Sequence, residues 1–270
     1  DLFLKKWTGI DKYFPKIDFP YSWIVDEKEG EAFFYDQINS LNDQVRDSIG
    51  GIFIETFQGW GACTYPISFI KAIEKYCKEN NILMIFDEMQ SGFYRTGKKF
   101  GFQHYDVQPD LICMGKGMGG GLPLSGIAGK PNLLDIVERG ELSSTHSSNP
   151  IACAAGKAVI DEMSKESFYN NLQKVSKEFC LIGNCLSSKY EILKHKSNFF
   201  GLVGAFVFDL EINKNSVDIA NKFCEKCLNQ GLLVIKTGRE SVKLAPPLTI
   251  RKNLINDAFR IIENVLDELI

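Results

Sequence analysis

Beyond residue 50 the apolar positions fall into short solid runs, separated by segments in which they recur every three to four residues. Ile52-Phe-Ile-Glu-Thr56 is one such run, bounded by Gly50-Gly51 and Gly59, and it predicts a strand buried on both faces. Pro66 then opens a helix in which Ile67, Ile70, Ile73 and Tyr76-Cys77 share one face, closing at Asn80-Asn81. A second strand, Ile82-Leu-Met-Ile-Phe86, delivers Asp87 at its C-terminal end, and a third, Asp110-Leu-Ile-Cys-Met114, delivers Lys116. Ser125-Gly-Ile-Ala-Gly129 reads as a fourth strand. Strand, helix, strand in that order predicts an α/β fold: a mainly parallel sheet with flanking helices. In such sheets ligands bind outside the carboxyl ends of the strands, and Glu55, Asp87 and Lys116 all fall there.

Helical patterns at 150–163 and 166–189 lead out of this unit, and after residue 190 the texture changes. Residues 203–210 and 232–235 read as strands, and 216–229 and 253–269 as helices, the last with Leu254, Ala258, Ile261-Ile262, Val265 and Leu269 on one face. The expected division is a large unit over 1–165 and a smaller C-terminal α+β unit over 166–270. Residues 1–20, aromatic and basic with Pro15 and Pro20, read as irregular structure.

Composition narrows the partners. Of 270 residues, 44% are hydrophobic and 24% charged, the make-up of a globular protein with a packed core. With 31 basic against 34 acidic residues, a formal charge of −3 and no basic cluster, nucleic acid is excluded as an expected partner. No apolar run approaches the roughly 20 residues of a bilayer span, and residues 1–20 lack a signal-peptide pattern, so a cytoplasmic protein is expected. The eight cysteines are scattered without a disulfide-like repeat and read as reduced thiols. Cys224-Glu-Lys-Cys227 lies in a helical pattern without a second ligand pair, so no metal is expected.

The chemistry concentrates on two residues. A lysine at the mouth of an apolar sheet is expected to be desolvated, which favours its neutral, nucleophilic amine. An acid at the neighbouring strand tip fits the other need of a pyridoxal phosphate enzyme, a carboxylate against the pyridine nitrogen. Lys116 and Asp87 supply the two groups. Each also has a plainer reading. An Asp at a strand end often caps a turn, a Lys before glycines is often solvated, and Met89 and His104 often serve the core. Arg95 and Thr96 are expected to tie down their loop. Gly115-Lys-Gly-Met-Gly-Gly120 formally matches a dinucleotide fingerprint, but Leu122-Pro123 follows where a helix is needed, and Gly117 stands where a phosphate loop needs Ser or Thr.

Ile54-Glu55, Gln58-Gly59, Asp87-Glu-Met-Gln-Ser-Gly-Phe-Tyr-Arg-Thr-Gly97, His104, Pro109-Asp110, Lys116-Gly117, Gly119-Gly-Gly121, Ser144-Thr145, Asn149-Pro150 and Leu244-Ala-Pro-Pro-Leu-Thr249 together resemble the class III aminotransferases of pyridoxal phosphate fold type I. The resemblance implies an internal aldimine on Lys116, which also shuttles the proton, and Asp87 against the pyridine nitrogen. It implies Met89 on a ring face, Gln90 on the phenolic oxygen, Glu55 near the ring edge, and Thr145 on the phosphate of the opposite subunit's cofactor, hence a homodimer with shared sites. The implied reaction moves an amino group from an amine or amino acid to a 2-oxo acid, aldehyde or ketone. An aminomutase, a racemase or a silent subunit keeping the fold are the alternatives. Trp60 stands where ornithine and gamma-aminobutyrate members carry an acid, and Lys243 where they carry a carboxylate-gripping arginine. A lysine lacks the bidentate fork, while Trp60 offers a flat wall for a bulkier or less charged amine or a sugar. Family members are longer and carry a phosphate-cupping turn and a ring-stacking aromatic that have no counterpart here, so the chain is expected to be a portion of such an enzyme.

Overall fold

The computed structural model describes residues 14–138 and 140–270, so part of the irregular opening segment lies outside the described residues. In chain order the elements are α1 (Gly30–Ser40), α2 (Asp43–Asp47), β1 (Gly51–Glu55), a small hairpin of β2 (Phe57–Gln58) and β3 (Cys63–Thr64), α3 (Ile67–Asn80), β4 (Leu83–Asp87), β5 (Leu111–Met114) and β6 (Gly126–Gly129). There follow α4 (Pro131–Leu134), α5 (Pro150–Met163), α6 (Glu166–Lys189), β7 (Asn198–Phe200), β8 (Val203–Val207), α7 (Ser216–Asn229), β9 (Ile235–Lys236), β10 (Ser241–Leu244) and α8 (Lys252–Leu269).

The first sheet runs β1-β4-β5-β6, with β1, β4 and β5 parallel and β6 antiparallel. One face is packed. Ile52, Met84 and Phe86 meet Phe69, Ile70, Ile73 and Cys77 of α3 and Phe34 and Ile38 of α1. Asn81 ends α3 in the left-handed region (φ 54°), a conformation asparagine tolerates, and turns the chain straight into β4.

The opposite face is open, which corrects the expectation of a strand buried on both sides. The register aligns Phe53 with Ile85 and Leu111, and Glu55 with Asp87, Cys113 and Ile127. Side chains two apart share a face, so the carboxylates of Glu55 and Asp87 stand on the same surface as Phe53 and Ile127, which are 59% and 55% exposed. A parallel sheet is ordinarily covered on both faces. Here the second cover is not supplied by the described residues.

The C-terminal sheet, β7-β8-β10-β9, is wholly antiparallel. Helices α6, α7 and α8 bury Leu172, Phe179, Phe223, Phe259, Ile262 and Leu266 against Phe199 and Phe206. The strand expected over 203–210 stops at Val207, because the Asp209 carboxylate accepts from Lys196 Nζ and the Glu211 amide and turns the chain away. The run 232–235 yields a strand only at Ile235–Lys236. A third apolar cluster joins the hairpin to the C-terminal sheet: Phe57 and Ala62 pack on Val203, Ala205 and Val207.

Candidate active site

β4 ends on two carboxylates that part company. Asp87 is half-buried on the open face and its Oδ1 accepts the Met89 amide at 2.8 Å. Glu88 turns inward, fully buried, and each of its oxygens takes two donors. Oε1 accepts from Thr56 Oγ1 at 2.8 Å and the Phe102 amide at 2.7 Å; Oε2 accepts from Ser91 Oγ at 2.6 Å and the Gly101 amide at 2.8 Å. Glu88 therefore pins the 101–102 segment and Thr56 under the strand tip that presents Asp87. From the sequence only Asp87 of this pair carries an expected role; Glu88 stands there solely as a letter of the family-like motif.

Lys116 follows β5 and begins a 3-10 turn over Lys116–Gly119. Its φ of 43° lies in the left-handed region, which costs a non-glycine residue about 1 kcal/mol or more and is retained where the surroundings demand it, commonly at functional sites. The side chain is exposed, so the expected desolvation of this lysine is not provided by the described residues: it stands on the rim of the uncovered face.

Four charged groups nevertheless act on one another there. Burial pushes the Glu55 carboxyl up, the neighbouring Asp87 charge adds to this, and the Gly59 amide, Lys116 and Lys243 oppose it. Burial pulls the Lys243 ammonium down, Lys116 pulls it further, and Glu55 counters. Two acids from β1 and β4, one lysine after β5 and one from β10 thus share a single electrostatic neighbourhood at the carboxyl end of the first sheet.

The hairpin closes one side. Lys243 Nζ donates to Gln90 Oε1 at 2.8 Å and to the Gly59 carbonyl at 3.1 Å. Ser241 Oγ donates to the Trp60 carbonyl at 2.8 Å, and Asn198 Nδ2 to the Ala62 carbonyl at 3.0 Å. A Cβ at Gly59 would lie 2.9 Å from Gln90 Nε2, so any side chain there would displace the Gln90 amide. Trp60 donates its indole N–H to Tyr21 Oη at 3.2 Å, and the Arg239 guanidinium lies 3.8 Å from the ring centroid. One face of the expected wall is thereby occupied by a cation whose other contacts are to Glu240, at 3.0 and 3.4 Å. Tyr21 and Arg239 carried no sequence signal, because their partner is remote in the chain.

Met89 abuts Gly115, where a Cβ would collide with its Sδ. Thr145 lies on an exposed loop, and the structure does not bring it to the cluster within this chain. His104 is an exposed residue whose ring Nε2 lies 3.1 Å from the Thr96 carbonyl, and partial desolvation of the ring, reinforced by Lys98, lowers its pKa. Arg95 Nη1 donates to the carbonyls of Leu202 at 2.8 Å and Pro246 at 2.6 Å, tying its loop to the C-terminal sheet.

These residues fit the ring of pyridoxal phosphate: an amine, an acid on the adjacent strand, and a Gln90 amide nitrogen that no described residue uses. A family profile, aminotransferase class-III, matches residues 5–266. The chain is 35% identical over 233 residues to an acetylornithine aminotransferase of Caldanaerobacter subterraneus subsp. tengcongensis, covering 86% of this chain and 57% of the relative. It is 33% identical over 234 residues to an ornithine aminotransferase of Oceanobacillus iheyensis, covering 86% and 56%. Among solved structures, an acetylornithine aminotransferase from Elizabethkingia anophelis superposes with a TM-score of 0.73 at 30% identity, over 88% of this chain and 60% of that one. An amine transaminase from an uncultivated Pseudomonas species, solved with PLP bound, superposes with a TM-score of 0.80 at 23% identity, over 94% and 61%, a likeness of fold. The chain spans somewhat more than half the length of the curated relatives it matches. On the match over residues 5–266 it belongs to the class III aminotransferases, pyridoxal phosphate enzymes of fold type I.

Proposed function

We propose that this chain carries the catalytic lysine and ring-binding acid of an aminotransferase that moves an amino group from an amine or amino acid to a 2-oxo acid, aldehyde or ketone. The observation that carries the reading is the delivery of Asp87 and Lys116 by adjacent parallel strands, at the same end of one sheet, with Glu55 paired beside Asp87. Bound pyridoxal phosphate supplies a ring that accepts the electrons left on the substrate carbon. Lys116 would hold the cofactor's aldehyde through its amine and would serve as the base that moves the proton at the substrate carbon. Asp87 keeps the ring nitrogen protonated, since a carboxylate held close favours the charged partner. Met89 packs on the ring, Gln90 donates to its phenolic oxygen, and Glu55 lies at its edge.

The exposed Thr145 fits a contact to the phosphate in a partner subunit, and hence a homodimer with shared sites. Separate apolar clusters within 34–107 and 168–266 favour a cofactor-binding unit over 1–165 and a smaller unit over 166–270. Eight unpaired cysteines favour a reducing, cytoplasmic setting, and no described helix is long and apolar enough to cross a membrane. Relatives are named acetylornithine and ornithine aminotransferases, but Trp60 and Lys243 favour a bulkier or less charged amine here. Borohydride reduction after loading with pyridoxal phosphate, followed by peptide mass spectrometry, tests the central claim. The adduct is expected on Lys116 and absent in Lys116→Ala; an adduct elsewhere, or none, refutes it.

A further inference from the structure

The Gln90 amide has one orientation open to it. Its Oε1 accepts from Lys243 Nζ at 2.8 Å. An ammonium has donors only, so the amide NH2 cannot face it, and the assignment of oxygen and nitrogen follows from chemistry. The NH2 therefore points away from Lys243, on the side where a Gly59 Cβ would come within 2.9 Å of Nε2. No described residue accepts from it. Lys243 is itself immobilised: its backbone lies in β10 between β8 and β9, and Nζ also donates to the Gly59 carbonyl at 3.1 Å. Both of these donors are spent inside the protein.

We propose that Lys243 is a positioning residue that acts through Gln90, locking the amide so that its NH2 is presented to the oxygen on the cofactor ring, and that it does not grip the substrate's carboxylate. This rests on the pyridoxal phosphate reading above. A cation on Oε1 polarises the amide and strengthens its N–H donors, so an anionic ring oxygen is stabilised and the linked nitrogen becomes less basic.

The test has one arm without cofactor. In the full chain with labelled glutamine side chains, the Gln90 NH2 signals in NMR move on Lys243→Met and stay in place on Lys130→Met, whose lysine pairs with Asp110 at the far end of the strands. Unmoved signals in Lys243→Met overturn the proposal. Lys243→Gln, which keeps a polar end without charge, gives the same readout where the methionine variant does not fold. The second arm uses the chain loaded with pyridoxal phosphate, without substrate. Lys243→Met raises the pH midpoint of the visible band by about one unit, and the same change in a Gln90→Ala background adds nothing. An equal shift in both backgrounds means that the charge acts directly on the ring, and overturns the positioning role. In a third arm, turnover with an amino donor, a raised KM for the donor with kcat and midpoint unchanged marks a substrate-gripping lysine and overturns it too. A parent chain with no visible band refutes the cofactor reading instead, while the amide signals still report whether Lys243 sets Gln90.

Discussion

Asp87 and Glu88 are chain neighbours with opposite tasks, and the difference lies in where the strand ends. Glu88 is satisfied by two hydroxyls and two backbone amides, all donors. An amide at this position turns its own NH2 toward two of them, leaving buried groups unpaired. Glu88→Gln is therefore expected to cost about 3 kcal/mol in chemical denaturation, and to weaken cofactor retention by loosening the tip that holds Asp87. Glu55 behaves differently. Burial and Asp87 raise its pKa, so the folded chain holds this proton more firmly than the unfolded one. The stability it contributes is present in acid and lost as pH rises through the folded value. Glu55→Gln removes that loss. Thermal melts should find the variant more stable than the parent near neutrality, with the gap closing as pH falls below the ordinary carboxylate range.

At the level of elements, periodicity found what is long or strongly patterned. α3 and β4 were legible because Phe69, Ile70, Ile73, Met84 and Phe86 form one continuous buried surface. α1 escaped because only Phe34 and Ile38 form its inward non-glycine stripe among polar neighbours. The hairpin escaped for another reason. Its strands are two residues each, and the side chains that satisfy the carbonyls of Gly59, Trp60 and Ala62 come from 184, 181 and 136 residues further on. No local window contains that information. Arg95 makes a comparable long-range tie, and burial draws its pKa down to about 10. Removing the guanidinium in Arg95→Met leaves the Leu202 and Pro246 carbonyls without their donor and should cost about 3 kcal/mol, read by denaturant midpoint. Gly201 beside it sits at φ 57°, where a Cβ would collide with the Thr96 backbone, so even alanine is not accommodated there.

For the whole molecule, the α/β character and the convergence of Glu55, Asp87 and Lys116 were readable in advance, since parallel strands fix where their ends point. The bare face of the first sheet was not. An apolar run encodes a surface that requires cover without encoding what supplies it, and this chain spans 57% of the first relative. Phe53→Ser should accordingly cost the chain under about 1 kcal/mol, whereas Phe86→Ala, on the packed face, should cost about 3–5 kcal/mol; paired denaturation curves check both. The hairpin has a further consequence for engineering selectivity. Because its tip is fastened to a ribbon encoded near the other end of the chain, a library that randomises Trp60 alone samples new side chains on one frozen backbone. Shuffling the 57–64 and 235–244 segments together, as a single exchangeable block, is what would give access to differently shaped binding walls.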